Sequence, residues 1–380
     1  MGPLSGLKIV EFAGIGPTPF CAMMLADMGA DIVRLDRIEP ADLGMKRDPR
    51  LSFTNRGRRS VAIDLKAPRA VEVALRLIDQ ADAVIEGFRP GVMERLGLGP
   101  DVCLASNPRL VYGRMTGWGQ DGPLAQVVGH DINFLALTGA LHSIGRKDQP
   151  PSPPLNLVAD LAGGGAYLAF GILCAVLEAR HSGVGQVVDG AIVDGVASLL
   201  TGVYGARAAG QWSDERGTNY MDGGAPWYDS YETADGKFVA IGPVEGRFYA
   251  ELLSALGLAA DTLPSQHDKA GWPELRRQFS KAFLRKARDE WVAVLKGRDV
   301  CVAPVLDLGE ALQDPHMQAR GSYVEIDGLL QPGPAPRFSK SAPEIPSRPP
   351  IPGEHTDAAL ADWGFSSTEI VALRADNTIN

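Results

Sequence analysis

The sequence is poor in cysteine, in net positive charge and in long uninterrupted apolar runs. Its 380 residues contain four cysteines, and no two of them form a C-x-x-C pair. This scarcity argues against a zinc site or a disulfide framework and favours a reducing compartment. The formal net charge of -9 argues against general nucleic-acid binding. The start of the chain lacks the features of a signal peptide, and glycine or charged residues interrupt its apolar stretches. We therefore expect a cytoplasmic protein that binds neither nucleic acid nor membrane.

Several catalytic motifs are also missing. The sequence has no G-x-S-x-G nucleophile elbow, no H-E-x-x-H zinc motif and no P-loop. Residues 7–36 resemble a dinucleotide-binding unit, with a strand, a G-I-G turn, a helix, a second strand and then Asp36. However, Pro19 occupies the position where the third glycine of that fingerprint is needed for close helix packing. The glycines are explained as well by a tight turn, so a nicotinamide or flavin cofactor is not expected.

The apolar pattern predicts an α/β protein with a large and a small domain. Predicted strands such as LKIVEF, DIVRL and AVIEGF alternate with helices in the first half, which is typical of a mainly parallel, Rossmann-like sheet. A hairpin pattern then introduces a smaller α+β domain. The segment from Asp160 to Arg180 is predicted to form one long buried helix. The predicted divisions are a large ligand-binding domain (1–200), a linker helix region (201–224), the small domain (225–325), and a proline-rich strap with a final helix capped by Ser367 that returns to the large domain (326–380).

Seven basic residues fall in one short part of this acidic chain. Several of them follow predicted strands, so their loops converge at one edge of the sheet. Arginine presents two parallel donors to phosphate, and its flat guanidinium can stack on a purine. The cluster is therefore consistent either with a solvated face or with a ligand such as coenzyme A, a nucleotide or a polyphosphate. Its members are Arg37, Arg56, Arg58, Arg59, Lys66, Arg89 and Arg95.

Four further ionisable residues lie at predicted helix starts, where each has an ordinary structural explanation. In GHDINF, His130 precedes an apolar run and Asp131 could simply cap the helix. Asp160 in NLVADLAGGG and Glu245 in PVEGRFY could likewise be first-turn acids. A carboxyl group in a setting as apolar as that of Asp160 should nevertheless have a raised pKa. A histidine and an aspartate without a nucleophile suit proton transfer better than acyl hydrolysis.

These stretches together resemble the α-methylacyl-CoA racemases, which belong to the larger family of class III CoA-transferases. The resemblance runs from Leu4 to about Ser341. It is carried by LSGLKIVEFAGIGPTPFCAMMLADMGADIVRLDR, RSVAIDLK, EGFRPGVMERLGLGP, MTGWGQDGP, GHDINF, NLVADLAGGG and DGGAPWYD.

The resemblance implies an interlocked homodimer that binds acyl-CoA with its large domain. His130 and Asp160 match the two racemase bases, and Glu245 matches a supporting acid contributed by the partner subunit. Coenzyme A enters as part of the substrate, so neither a metal nor a separate cofactor is expected. The positions matching the CoA contacts are Arg37, Ile63, Asp64, Leu65, Lys66, Gly87, Phe88, Arg89, Arg95, Gly129, Asp131, Ile132, Asn133 and Phe134.

The implied reaction interconverts the two C2 epimers of a 2-methylacyl-CoA through an enolate. One alternative is a CoA-transferase in which Asp160 attacks the thioester, a chemistry that does not need His130. Another is a CoA-binding regulatory protein without turnover. The sequence departs from the family pattern at Ile63, at Phe134 and at Gly246-Arg247. These departures leave the preferred acyl group open.

Overall fold

The computed structural model describes residues 2–39 and 47–380. Its β-strands are β1 (Lys8–Phe12), β2 (Asp31–Asp36), β3 (Arg59–Ala62), β4 (Ala83–Glu86), β5 (Val111–Thr116), β6 (Gln186–Ala191), β7 (Asp229–Glu232), β8 (Phe238–Ile241), β9 (Val302–Val305), β10 (Tyr323–Ile326) and β11 (Leu329–Pro332).

The α-helices are α1 (Pro17–Asp27), α2 (Ala70–Ile78), α3 (Val92–Arg95), α4 (Pro100–Ser106), α5 (Asp131–Thr138), α6 (Ala140–Ser143), α7 (Tyr167–Ser182), α8 (Ile192–Leu199), α9 (Thr201–Ala208), α10 (Gly246–Leu256), α11 (Trp272–Phe283), α12 (Arg288–Leu295), α13 (Leu308–Gln313), α14 (Pro315–Ala319), α15 (Thr356–Asp362) and α16 (Ser367–Ala375). Short 3₁₀ turns occupy Pro49–Leu51, Phe53–Asn55, Ala260–Thr262 and Lys269–Gly271, and a π-helical segment occupies Leu157–Ala166.

The chain forms two compact units, each assembled from separate pieces. Unit 1 comprises Met1–Thr138, Leu155–Leu199 and Gln318–Asn380, and unit 2 comprises Gly139–Pro154 and Leu200–Met317. Unit 2 therefore begins inside the stretch that the sequence pattern assigned to the large domain, and the final segment of the chain belongs to unit 1.

Unit 1 contains a six-stranded sheet in the order β3-β2-β1-β4-β5-β6. Every neighbouring pair in it is parallel, which confirms the α/β class. The chain leaves β1 towards one edge of the sheet and later returns to the other side at β4. Ligands of such sheets usually bind at the carboxyl ends of the strands beside this reversal. Strand β3 had not been predicted, because it is short and begins with the polar pair Arg59-Ser60.

The C-terminal segment completes one core of unit 1. Trp363, Phe365 and Leu373 are buried together with the apolar residues of β1, β2 and α2. Helix α16 begins one residue earlier than predicted. The Ser366 side chain, not that of Ser367, accepts the Glu369 N–H at 3.3 Å. Glu369 in turn accepts the Ser366 N–H at 2.7 Å, which completes a capping box.

The long helix predicted from Asp160 is neither uniform nor fully buried. Its first part is the π-helical segment Leu157–Ala166, and α7 follows it. Phe170 is 68% exposed and Leu177 is 62% exposed, so only one face of α7 packs against the rest of the unit. Among the described residues, this run (Leu157–Ser182) is long and apolar enough by composition to cross a membrane, contrary to the sequence-based expectation. Core helices of soluble proteins also pass that test.

Unit 2 is built on the antiparallel sheet β7-β8-β9. The predicted hairpin is confirmed: Asp229 pairs with Ile241 and Glu232 with Phe238. Gly236, at φ 72°, supplies the left-handed conformation that the turn requires. Aromatic side chains fill the core of this unit, which includes Trp227, Tyr231, Phe279, Phe283 and Trp291.

Candidate active site

The predicted site residues of unit 1 follow the carboxyl ends of its parallel strands. Arg37 follows β2, residues 63–66 follow β3, and residues 87–89 follow β4. The turn 14–16, which follows β1, reaches the same edge. Because parallel strands all end at one edge of a sheet, these segments form a continuous border. That border is where an α/β sheet ordinarily receives its ligand.

A cleft at this border contains both predicted bases. Its volume is about 410 Å³, and both His130 and Asp160 line it. Gly87, Phe88 and Arg89 line the same cleft. The structure therefore brings together residues that lie far apart in the sequence. Glycines, apolar residues and ionisable residues together line the wall of the cleft.

His130 lies immediately before α5 and is exposed. Its carbonyl oxygen accepts the Asn133 N–H at 2.8 Å, and its own N–H donates to the Asn133 Oδ1 at 3.0 Å. These bonds hold the backbone at the helix start and do not involve the imidazole side chain. The first N–H groups of α5 have no carbonyl acceptor within the helix, so they present partial positive charge at this end.

Asp160 lies in the first turn of the π-helical segment and is half-buried. Burial, and secondly the negative charge of Asp131, raise the pKa of its carboxyl group to about 6, against the opposing effects of His130 and of a hydrogen bond with Asn156. A carboxyl group with such a pKa exchanges protons readily near neutral pH. The raised pKa inferred from its apolar sequence context is thus reproduced in the structure.

The Asp131 carboxylate does not cap α5, the helix that it begins. Its Oδ2 accepts the backbone N–H of Asp160 at 2.8 Å, and the carboxylate also accepts the N–H of Ala159. The side chain is buried, and burial raises its pKa. The sequence suggested a local helix cap. The structure instead shows a carboxylate that caps the neighbouring segment, the one that carries Asp160.

Glycines allow the chain to approach the cleft closely. Gly16 has φ 69°, and a Cβ atom there would lie 3.1 Å from Asp160 Oδ2. A Cβ atom on Gly87 would lie 2.7 Å from Thr18 Oγ1. A larger residue at either position would therefore crowd the cleft or the turn beside it. Sequence reasoning recognised the G-I-G turn but not its contact with Asp160.

The seven basic residues divide into two groups. Arg56 bonds Asp27 at 2.6 Å, and Arg58 bonds Glu11 at 3.0 Å with both side chains buried. Arg59 bonds Asp31 at 2.8 Å. These three arginines therefore hold the fold together through ion pairs, a role that neither of the two interpretations of the cluster, a solvated face or a ligand site, had assigned to them. The remaining four are exposed and make no ion pair with the residues that the structure describes; they are Arg37, Lys66, Arg89 and Arg95.

The other residues that matched CoA contacts vary in accessibility. Ile63 is buried in the core, and Phe134 is buried with its ring edge-on to Trp118 at 4.8 Å between centroids. A side chain on Gly117 would overlap the Phe134 ring, so this aromatic contact shapes the cleft wall. The exposed positions are Asp64, Gly87, Ile132 and Asn133, and the half-buried ones are Leu65, Phe88 and Gly129.

An ion-pair network behind the border, with Glu86 and Arg114 buried and Glu94 exposed, was not predicted. The Glu86 carboxylate accepts the Phe88 N–H at 2.7 Å and the Arg114 Nε–H at 2.9 Å. Arg114 also donates to Glu94 at 2.8 Å, in the helix that carries Arg95. The network thus links the turn after β4 to α3. No local sequence signal marks it, because its members come from three separate elements.

Glu245 belongs to unit 2. It is exposed and forms the N-cap of α10, where its carbonyl accepts the Tyr249 N–H at 3.0 Å. Its charge acts on Cys301, whose pKa is raised chiefly by burial. Among the described residues, no group of three His, Cys, Asp or Glu side chains is arranged to hold a metal ion.

The sheet border and the cleft define an enzyme-like site with free cations beside a histidine and a raised-pKa carboxyl. The chain belongs to CoA-transferase family III, which it matches over residues 4–356. It is 46% identical to the alpha-methylacyl-CoA racemase of Mus musculus and 44% identical to that of Homo sapiens. Each alignment covers 99% of this chain and 97% of the relative. The chain is therefore homologous to an isomerase, and the resemblance seen in the sequence is confirmed.

Solved structures agree with this assignment. A CAIB/BAIF family protein from Brucella suis superimposes with a TM-score of 0.82 at 26% sequence identity. The match covers 95% of this chain and 99% of that protein. The parallel sheet and the small antiparallel sheets therefore belong to a fold already seen in crystals.

Proposed function

We propose that the protein interconverts the (2R) and (2S) epimers of 2-methylacyl-CoA thioesters, with His130 and Asp160 as the two bases. The observation that carries this proposal is that one cleft contains both side chains, and that the pKa of Asp160 is raised to about 6. A reaction that inverts a carbon by moving one proton needs two groups of this kind. The names of the mouse and human relatives support the same activity.

The reaction proceeds by removal and return of the C2 proton. One base takes the proton from one face of the thioester, and the electron pair moves onto the carbonyl oxygen to form an enolate. The other base then donates a proton to the opposite face of C2. The first N–H groups of α5, beginning at Asp131, stabilise the enolate oxygen, with the helix dipole behind them. The first group is left protonated and the second, which began protonated, is left deprotonated; the reverse reaction or proton exchange with water restores both starting forms.

The CoA portion is proposed to lie along the carboxyl border of the parallel sheet. Arg37, Lys66, Arg89 and Arg95 are exposed there, so their charges are available to phosphate groups. The backbone of residues 63–66 and of the turn 87–89 lines the same border. No separate cofactor is part of this mechanism, since coenzyme A arrives as part of the substrate.

The active form is proposed to be an interlocked homodimer, in which Glu245 of the partner subunit supports the two bases. The exposed apolar face of α7 supports association, because contiguous apolar surface of this kind commonly marks an interface. Tyr167, Phe170, Cys174 and Leu177 are the exposed residues of that face. A second chain covering it would remove these side chains from water.

A CoA-transferase is the second candidate, and the family name favours it. In that chemistry the Asp160 carboxylate attacks the thioester and forms a mixed anhydride, and CoA leaves as a thiolate. The C2 proton is untouched, and an acceptor carboxylate is required for turnover. His130 has no necessary part in this sequence of steps.

Deuterium exchange separates the two reactions. A 2-methylacyl-CoA incubated with the protein in deuterated water, without any added acid, should gain deuterium at C2 as it epimerises. The His130→Ala, Asp160→Ala double variant should abolish exchange, whereas Asp194→Asn, an exposed carboxyl on α8, should not. Absence of exchange across a panel of thioesters, combined with CoA transfer once succinate is supplied, would establish the transferase instead.

A further inference from the structure

Asp131 has an unusual position among the acids of unit 1. It opens α5, where a first-turn aspartate ordinarily accepts N–H groups of its own helix. Its carboxylate instead accepts the backbone N–H groups of Asp160, at 2.8 Å, and of Ala159. Asp160 lies 29 positions further along the chain, and Ala159 immediately precedes it. The side chain is only 9% exposed, so water competes little for these bonds.

The contact falls on a segment that needs an external acceptor. The first N–H groups of any helical segment lack carbonyl partners, and in the π-helical segment the Leu161 N–H is bonded to the Asn156 carbonyl at 3.2 Å. The N–H groups of Ala159 and Asp160 come just before that bond. Asp131 satisfies both of them, and it thereby fixes the backbone from which the Asp160 side chain extends.

We infer that Asp131 is a positioning residue, which anchors the backbone of Asp160 and keeps a second negative charge beside its carboxylate. This role deepens the proposed racemase function and rests on it. Asp131 acts through Asp160 and is distinct from the contribution of its own backbone N–H to the enolate. The consequence is that Asp160 is both better placed and more basic than an isolated carboxylate in the same cleft.

The elements packed against the segment of Asp160 carry several charged groups. Asp131 and His130 act on it from the start of α5, and Asn156 bonds it from the residue before its own segment. On β5, Arg114 is bonded to Glu86 and Glu94. On α8, which packs against the same segment, the charge of Asp194 acts on Asp189. In the proposed dimer, Glu245 of the partner subunit would be a further carboxyl facing this site.

The test uses the full-length protein carrying His130→Ala, so that Asp160 alone can remove the C2 proton. The rate of deuterium exchange for each pure epimer is measured between pH 4.5 and 9, as a function of pH. For the epimer that exchanges in this background, the acid-side midpoint reports the titration of Asp160. Asp131→Asn and Asp131→Ser are then added separately. Both side chains can still accept an N–H bond, but neither carries a charge.

We expect both substitutions to lower the midpoint by roughly half a pH unit or more, because a neighbouring negative charge has been removed. The plateau rate should fall about tenfold, because Asp160 becomes a weaker base and because a neutral side chain binds its backbone N–H less strongly than a carboxylate does. Asp194→Asn removes a carboxylate from α8 and should leave the midpoint unchanged. In an Asp160→Ala background, where His130 removes the proton, Asp131→Asn should change exchange of the other epimer far less.

Two contrary results have different meanings. If the His130→Ala protein exchanges one epimer normally and neither Asp131 substitution moves its midpoint, the inference is overturned while the proposed function stands. The same holds if Asp131→Asn slows both faces equally, since that indicates general damage to the site. If the unsubstituted protein shows no exchange at C2, the proposed function itself fails, and the inference fails with it.

Discussion

His130 and Asp160 share a cleft, but the fold treats their side chains differently. His130 is exposed at a helix start, whereas Asp160 is half-buried beside a second carboxylate. In the proposed reaction, the surroundings of Asp160 are therefore largely buried, whereas the imidazole of His130 lies close to solvent. Two proton-transfer groups in such unlike environments can divide the roles of acid and base between them.

The two-base assignment predicts opposite epimer preferences in the single variants. In His130→Ala, C2 proton exchange should fall by about 10²-fold or more for one epimer and much less for the other, because only one face loses its base. Asp160→Ala should show the mirror-image preference. Single-turnover exchange on each pure epimer measures both. Equal losses for both epimers in both variants would contradict the assignment.

The raised pKa of Asp160 also predicts a cost in stability. The folded chain holds this proton more tightly than the unfolded chain, so stability falls as pH rises from 3.8 towards 6. Asp160→Asn should therefore be more stable than the parent at pH 8, by no more than about 3 kcal/mol. The advantage should vanish below about pH 4. Urea unfolding at both pH values tests this, with Asp194→Asn as the control; equal stability of Asp160→Asn and parent at pH 8 would count against it.

At the scale of elements, the close approach of three helical segments builds the cleft. A Cβ atom on Gly163 would lie 2.8 Å from Val196 of α8, and one on Gly165 would lie 2.8 Å from the Pro17 carbonyl oxygen of α1. The glycine run therefore allows α1 and α8 to pack directly against the segment that carries Asp160. The structure thus identifies α1 and α8 as the packing partners of the glycine run.

The free cations of the sheet border lead to a prediction about binding. Arg37→Ala and Arg95→Ala should raise the KM for acyl-CoA about tenfold and change kcat less, because phosphate contacts are equally strong in the ground and transition states. The effect should shrink as salt is added.

The matched control for these variants is Arg277→Ala, an exposed arginine of unit 2 that pairs with Glu274. Steady-state kinetics at low and high ionic strength measure all three proteins. A loss confined to kcat in both border variants would mean that these arginines do not hold the nucleotide.

At the scale of the whole molecule, the proposed dimer can be tested by complementation. His130→Ala and Glu245→Ala chains are each expected to be impaired. Coexpressed, they should form mixed dimers in which one site combines an intact His130 with the partner's intact Glu245. Such a dimer should regain up to about half of the parental activity, provided that the two residues meet across the interface.

For this measurement the two variant chains carry different affinity tags, and mixed dimers are purified by selecting for both tags in turn. The control is coexpression of two differently tagged His130→Ala chains, which cannot form an intact site. Mixed dimers that remain as inactive as this control would place His130 and Glu245 in the same chain or remove Glu245 from the reaction.

Local sequence determined much of this protein. Alternating apolar segments predicted most of the parallel strands, the hairpin of unit 2 and the glycine-dependent turns, because hydrophobic periodicity and turn chemistry are local properties. The family motifs also indicated His130, Asp160 and the exposed basic residues of the sheet border. Strand β3 and helix α15 escaped prediction, because short elements depend on their tertiary partners more than on their own residues.

Tertiary structure decided what the individual charged side chains do. Arg58 and Glu11, which are 47 positions apart, form a buried pair, while the nearby Lys66 stays exposed. Asp131 likewise turns away from its own helix to a backbone 29 positions further along. A sequence shows which residues can ionise, but their partners are set by the packing of distant elements. The pKa and the role of a carboxylate depend on those partners. Only the folded chain therefore shows which charged side chains stabilise the fold and which are available to a ligand.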